Sequence, residues 1–90
     1  MDLKYPFIYY IVVKNYKKHP DLIRLGQNIR ELRKTKGYTQ ESLALEADID
    51  RSYIGGIERG ERNVSFLTLS IIAKCLSCDI AKLTKGIPCD

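Results

Sequence analysis

Between Thr39 and Asn63 the chain reads TQESLALEADIDRSYIGGIERGERN, and this stretch restricts the fold more than any other. Leu43, Ala44 and Ala47 recur at helical spacing, and so do Ile54 and Ile57, so each run buries one side of a helix. Asp48 is one of the few non-glycine residue types that tolerates a left-handed turn, and Asp50 is a strong N-cap. The expected outcome is two short helices, Gln40 to about Ala47 and Arg51 to about Arg59, joined by a tight turn that Ile49 plugs. Neither persists alone, because isolated helices below about 12–15 residues are marginal in water. Small inner residues on the first helix let the second approach closely. Thr39 can cap the first helix through its hydroxyl, with Glu41 suited to the positive end.

The flanking sequence supplies a scaffold. Pro20-Asp21 opens a helix in which Leu22, Leu25, Ile29 and Leu32 form one buried stripe while Arg24, Arg30, Glu31 and Lys34 face water. Gly37 stops it. Ser65 caps a fourth helix with Leu69, Ile72, Ala73 and Leu76 inward. Asp79 caps a short fifth with Ile80 and Leu83 inward, stopped by Gly86 and followed by Pro88. Ninety residues allow one small core. A hydrophobic share of 44% beside 29% charged residues is that of an ordinary globular chain, which argues against global disorder. The expected fold class is all-α, five helices over residues 20–86, with a C-terminal tail at 87–90.

Residues 1–19 differ in character. Phe7 to Val13 is rich in β-branched and aromatic residues and apolar on both alternating faces, which predicts a strand or an extended arm. A lone strand must pair with a copy of itself or lie on the helical body. A dimerisation arm, a packing strap and a protein-binding segment at residues 5–13 all fit.

A helix suits the major groove, where every base pair shows a distinct set of donors, acceptors and methyls, and its first turn reaches deepest. In the second short helix that turn carries Arg51, whose planar fork matches guanine O6 and N7, and Ser52, which can donate or accept. Gly55-Gly56 would cost up to about 1 kcal/mol each in a helix, a loss that close approach to a groove wall justifies. Gln40, beside unpaired N–H groups at a helix N-terminus, forms a phosphate seat. Tyr53, Arg59, Arg62 and Asn63 are placed to grip backbone oxygens on the other side. Arg33 and Glu58 fall on inward positions where an ion pair would tie the first helix to the third. The net charge of +4 suits a polyanionic partner.

The motifs Ile29-Arg30-Glu31-Leu32-Arg33, Gly37-Tyr38-Thr39-Gln40-Glu41, Leu43-Ala44, Tyr53-Ile54 and Ile57-Glu58-Arg59-Gly60 together resemble the lambda-repressor-like family of helix-turn-helix proteins, also called Cro/cI or XRE. The resemblance runs from about Leu22 to Leu83. Asp50-Arg51-Ser52-Tyr53-Ile54, Gly56-Ile57-Glu58-Arg59 and Arg62-Asn63 look most like restriction–modification controller proteins. It implies a cytoplasmic transcription regulator, a homodimer on double-stranded DNA bearing an inverted-repeat operator. Base contacts are implied for Arg51, Ser52 and the groove-facing Gly56, and backbone contacts for Gln40, Tyr53, Arg59, Arg62 and Asn63. Arg33 with Glu58 matches the family's internal ion pair. The family dimer often uses the fifth-helix region, here Ile80, Leu83 and Ile87. Asp48 departs from the common turn glycine, and residues 1–19 have no counterpart in the minimal domain. An antitoxin or a phage-type repressor gripping a protein partner through its arm is the alternative.

Other classes find little support. The single histidine, His19, stands in a linker with no nucleophile–base constellation around it, and reads as solvated rather than catalytic. No cofactor-binding loop is present. Cys75 and Cys78 have the gap of a zinc knuckle, with Cys89 and His19 as conceivable partners, but zinc sites announce four ligands in two close pairs, so no metal is expected. The odd, clustered cysteines fit a reducing cytoplasm better than a disulfide framework. The run Tyr5 to Val13 is far short of the roughly 20 residues that span a bilayer, and Lys14 to Lys18 follows it where a signal peptide would carry small residues.

Overall fold

Helix ends in this chain are set by short-range chemistry. The computed structural model describes residues 16–90, and within them α1 (Pro20–Thr35) starts with its proline at the first helical position, where the missing N–H would have had no partner. Its cap is His19: the Nδ1 atom accepts the Asp21 N–H at 3.1 Å. His19 is therefore a half-buried structural residue and not the solvated linker histidine the sequence predicts. The predicted strand lies outside the described residues.

In α2 (Gln40–Ala47) the Thr39 hydroxyl accepts the Ser42 N–H at 3.0 Å, and Ser42 Oγ accepts the Thr39 N–H at 2.8 Å. Two otherwise unpaired donors are thus satisfied reciprocally. Asp48 ends the helix at φ +54°, the left-handed turn expected of it. Asp50 holds the N-cap position of α3 (Arg51–Glu58), but its side chain makes no capping bond. The carboxylate instead accepts the Ser52 hydroxyl, which outcompetes the backbone as a donor. Ser65 Oγ caps α4 (Phe66–Cys75) by accepting the Thr68 N–H at 3.1 Å. Asp79 Oδ1 caps α5 (Ile80–Leu83) by accepting the Lys82 N–H at 3.1 Å. The five helices follow the predicted order.

The core is aliphatic: Ile29, Leu43, Ile54, Ile57, Ile72, Leu76 and Leu83 are almost wholly withdrawn from water. Burying each such side chain contributes about 1.5–3 kcal/mol. α3 lies between α1 and α2 and packs on both. Its contact with α1 is backbone to backbone at Gly26, where an added Cβ would stand 2.5 Å from the carbonyl oxygens of both Ile57 and Glu58. Apolar periodicity did not single out Gly26, because a glycine adds nothing to a hydrophobic stripe.

α5 is locked to α1. Asn28 Nδ2 donates to the carbonyls of Leu83 at 2.8 Å and Lys85 at 2.9 Å. Leu83 is fully buried, and Ile80 and Ile87 are packed partly against the same core. Of the fifth-helix residues predicted for a dimer, Leu83 is therefore taken up within one chain, while Ile80 and Ile87 keep part of their surface in water. Among the described residues, the large apolar side chains left in water are Leu67, Phe66 and Ile71 on α4, at 73%, 68% and 45% exposure, and Leu45 on α2 at 79%.

Candidate nucleic-acid interface

Because α1 and α2 take the inner side of α3, its outer side faces solvent. Arg51 and Ser52, in the leading turn, are exposed, and Tyr53 is half-buried. Arg51, Gly55 and Arg59 are spaced by four, so they line one ridge along the helix. Asp48 and Asp50 put negative charge near the leading turn, while Arg59 and Arg62 put positive charge at the trailing end. The face is thus polar along its length.

Gly55 and Gly56 are not bare. Both are buried, because two arginines fold back over them. A Cβ on Gly55 would lie 3.0 Å from Arg59 Nη1, and one on Gly56 would lie 3.1 Å from Arg62 Cγ and Nε. Gly55 and Gly56 lie on the expected side of α3 but are not open to solvent in the free protein: the Arg59 guanidinium covers the first and the Arg62 side chain the second. Arg62 also sets its guanidinium 5.4 Å from the centre of the Tyr53 ring, within range of a cation–π attraction. Of the residues predicted to hold the DNA backbone, Arg62 thus meets Tyr53, while Arg59, at the end of α3, covers Gly55. Asn63 follows them in the exposed loop.

Arg33 and Glu58 are joined. Arg33 Nε donates to Glu58 Oε2 at 2.7 Å and Nη2 to Oε1 at 3.0 Å, with the two side chains 9% and 2% exposed. Arg33 Nη1 donates onward to the Tyr38 carbonyl at 2.9 Å. The hydrogen bonds that Arg33 donates to Glu58 raise the Arg33 pKa further and keep the guanidinium charged. Glu58 has a third partner that sequence reasoning missed: Gln40 Nε2 donates to its Oε1 at 3.1 Å. Gln40 Oε1 also lies 3.6 Å from where a Gly55 Cβ would stand. One buried carboxylate thus orients both the scaffold arginine and the amide at the start of α2.

Two further residues at this face were missed. Lys18 Nζ donates to the Arg59 carbonyl at 2.7 Å, and Glu61 Oε1 accepts from Arg59 Nε at 3.1 Å. Only the alternation of sign along Arg59, Glu61 and Arg62 was visible in the sequence; the approach of Lys18 needs the folded chain.

The cysteines are separate from this face. Cys75, Cys78 and Cys89 are free thiols, and burial pushes those of Cys75 and Cys78 up, which keeps them protonated and unreactive. Among the described residues no group of three or more His, Cys, Asp or Glu could hold a metal ion, and no helix is long and apolar enough to cross a membrane.

Known proteins are similar to this chain in sequence and fold. Residues 29–83 match the family described as helix-turn-helix. The control protein C.SmaI of Serratia marcescens is 44% identical over 59 residues, covering 66% of this chain and 70% of that protein. The restriction-modification controller protein C.AhdI from Aeromonas hydrophila is 46% identical with a TM-score of 0.71, over 72% of this chain and 98% of that one. The structure of C.Esp1396I bound to a 19 base pair DNA duplex is 39% identical with a TM-score of 0.64, over 69% of this chain and 83% of that one.

Proposed function

The chain belongs to the helix-turn-helix family, and on that premise we propose that it regulates transcription as a restriction–modification controller, reading double-stranded DNA through α3. The observation that carries this is the exposure of Arg51 and Ser52 on the leading turn of a helix whose other side is buried. Arg51 reads a guanine edge, Ser52 reads its neighbour, and Gln40, Tyr53, Arg59, Arg62 and Asn63 hold phosphates on either side. The Arg33–Glu58 pair fixes α3 to α1, and Glu58 aims Gln40. The similarity to C.AhdI and to DNA-bound C.Esp1396I supports the same use of the face.

The regulator acts as a dimer on an inverted repeat. Pairing is supported by the uncovered Phe66, Leu67 and Ile71 of α4, since contiguous exposed apolar surface marks an interaction site. Binding titrations against a randomised duplex pool, repeated over a range of salt, test the reading. Arg51→Ala should relax preference at one position, losing about 1–3 kcal/mol of discrimination. Gln40→Ala should weaken binding to all sequences more evenly. An Arg51→Ala variant with unchanged preference would show that α3 is not the reading helix.

A further inference from the structure

The chain just before α1 is tied to the chain just after α3. Lys18 N–H donates to the Gly60 carbonyl at 2.8 Å and Lys18 Nζ to the Arg59 carbonyl at 2.7 Å. Lys18 does this at φ +63°, in the left-handed region that few non-glycine residues occupy. Its ammonium is thereby fixed at the exit of the proposed reading helix. Glu61 completes the group: Oε1 accepts Arg59 Nε at 3.1 Å, and Oε2 lies 3.7 Å from Lys18 Nζ. Two cations from distant parts of the chain, each with a side chain 58% exposed, thus converge on one carboxylate. Arg59 and Lys18 supply the donors that hold a phosphate oxygen pair elsewhere, and they sit beside Arg62 and Asn63.

We propose that Arg59 and Lys18 form a seat for one backbone phosphate of DNA, and that the Glu61 carboxylate fills this seat in the free protein. The inference rests on the DNA-binding reading above and adds Lys18 and Glu61 to it. A phosphodiester displaces the carboxylate, which turns out to solvent, and no covalent step is involved. Glu61 holds Arg59 through its Nε before DNA arrives. It also cancels one of the two positive charges, which lowers affinity for every sequence alike and leaves base preference untouched.

Fluorescence anisotropy with an operator duplex and an unrelated duplex, over a salt series, tests this. The slope of log affinity against log salt changes by about 0.9 per phosphate neutralised. Glu61→Gln should bind both duplexes more tightly, by about fivefold near 0.15 M salt, with a slope steeper by about 0.9. Lys18→Gln should bind both more weakly, with a slope shallower by about the same amount. Glu61 is on the surface, so its glutamine variant retains the fold. A parent that binds no duplex defeats the functional reading and this inference with it. A parent that binds, with a Glu61→Gln variant no tighter or unchanged in slope, overturns the seat alone.

Discussion

Replacing Gly26 by alanine sets two effects of known size against each other. In a helix interior the change is favourable by about 0.8–1.0 kcal/mol. In α1 the new Cβ would meet the Ile57 and Glu58 carbonyl oxygens at 2.5 Å and the Glu58 carbonyl carbon at 2.8 Å. These are backbone atoms of a helix that packs on α2 as well, so they cannot rotate aside, and α1 must lift from α3. Overpacking costs about 1–3 kcal/mol, and three backbone contacts this short put Gly26 at the top of that range. Sterics wins by about 2 kcal/mol, which lowers Tm by about 8–16 °C for a domain of this size. Gly55→Ala is the internal control, because its Cβ would meet only side-chain tips, Arg59 Nη1 at 3.0 Å and Gln40 Oε1 at 3.6 Å. Those move at little cost, so helix propensity wins and Tm rises by up to about 4–8 °C. Thermal unfolding followed by circular dichroism reads both. A Gly26→Ala variant melting at or above the parent would refute the close approach of α1 to α3, and so would equal losses in the two variants.

Arg33→Met strands the Glu58 carboxylate, whose side chain is 2% exposed, and should destabilise the fold by about 3–5 kcal/mol; urea unfolding with a loss under about 1 kcal/mol would contradict the buried pair. Leu67→Glu puts a charge on the uncovered face of α4 and should shift the proposed dimer toward monomer in sedimentation, and unchanged mass would remove α4 from that proposal. The hydrogen bond from Arg59, with Lys18 and Lys17 adding charge, holds the Glu61 carboxyl below its ordinary value. A group lowered on folding adds stability above its unfolded pKa and loses it as pH falls through the folded one. The Tm difference between parent and Glu61→Gln should therefore narrow on acidification, and a difference constant from neutral to about pH 3 would refute the pairing.

What could be read from the sequence was what depends on near neighbours. Thr39, Ser65 and Asp79 cap because their oxygens reach an N–H three residues on, and that geometry travels with the chain. Asp48 takes its left-handed turn for an equally local reason. The misreadings arise where a second, competing partner decides. Asp50 stands at the right position, yet the Ser52 hydroxyl captures its carboxylate. Gly55 and Gly56 face the expected side, but their exposure is set by arginines four and six residues further on. Leu83 was correctly placed inward, while the Asn28 clasp that seals α5 to α1 spans 55 residues and leaves no local trace. Arg33, Glu58 and the residues of the α3 face were nameable from their motifs; the Gln40–Glu58 bond and the approach of Lys18 were not, because both depend on how helices cross.

The bond between Ser52 and Asp50 limits what Ser52 can ask of a base. A hydroxyl owns one proton, and here it is already given to the aspartate. Only lone pairs remain on the oxygen, so in the proposed complex Ser52 would meet the groove as an acceptor, suited to an amino group: N4 of cytosine or N6 of adenine. On that reading the aspartate turns an undiscriminating side chain into one that prefers two letters of the four.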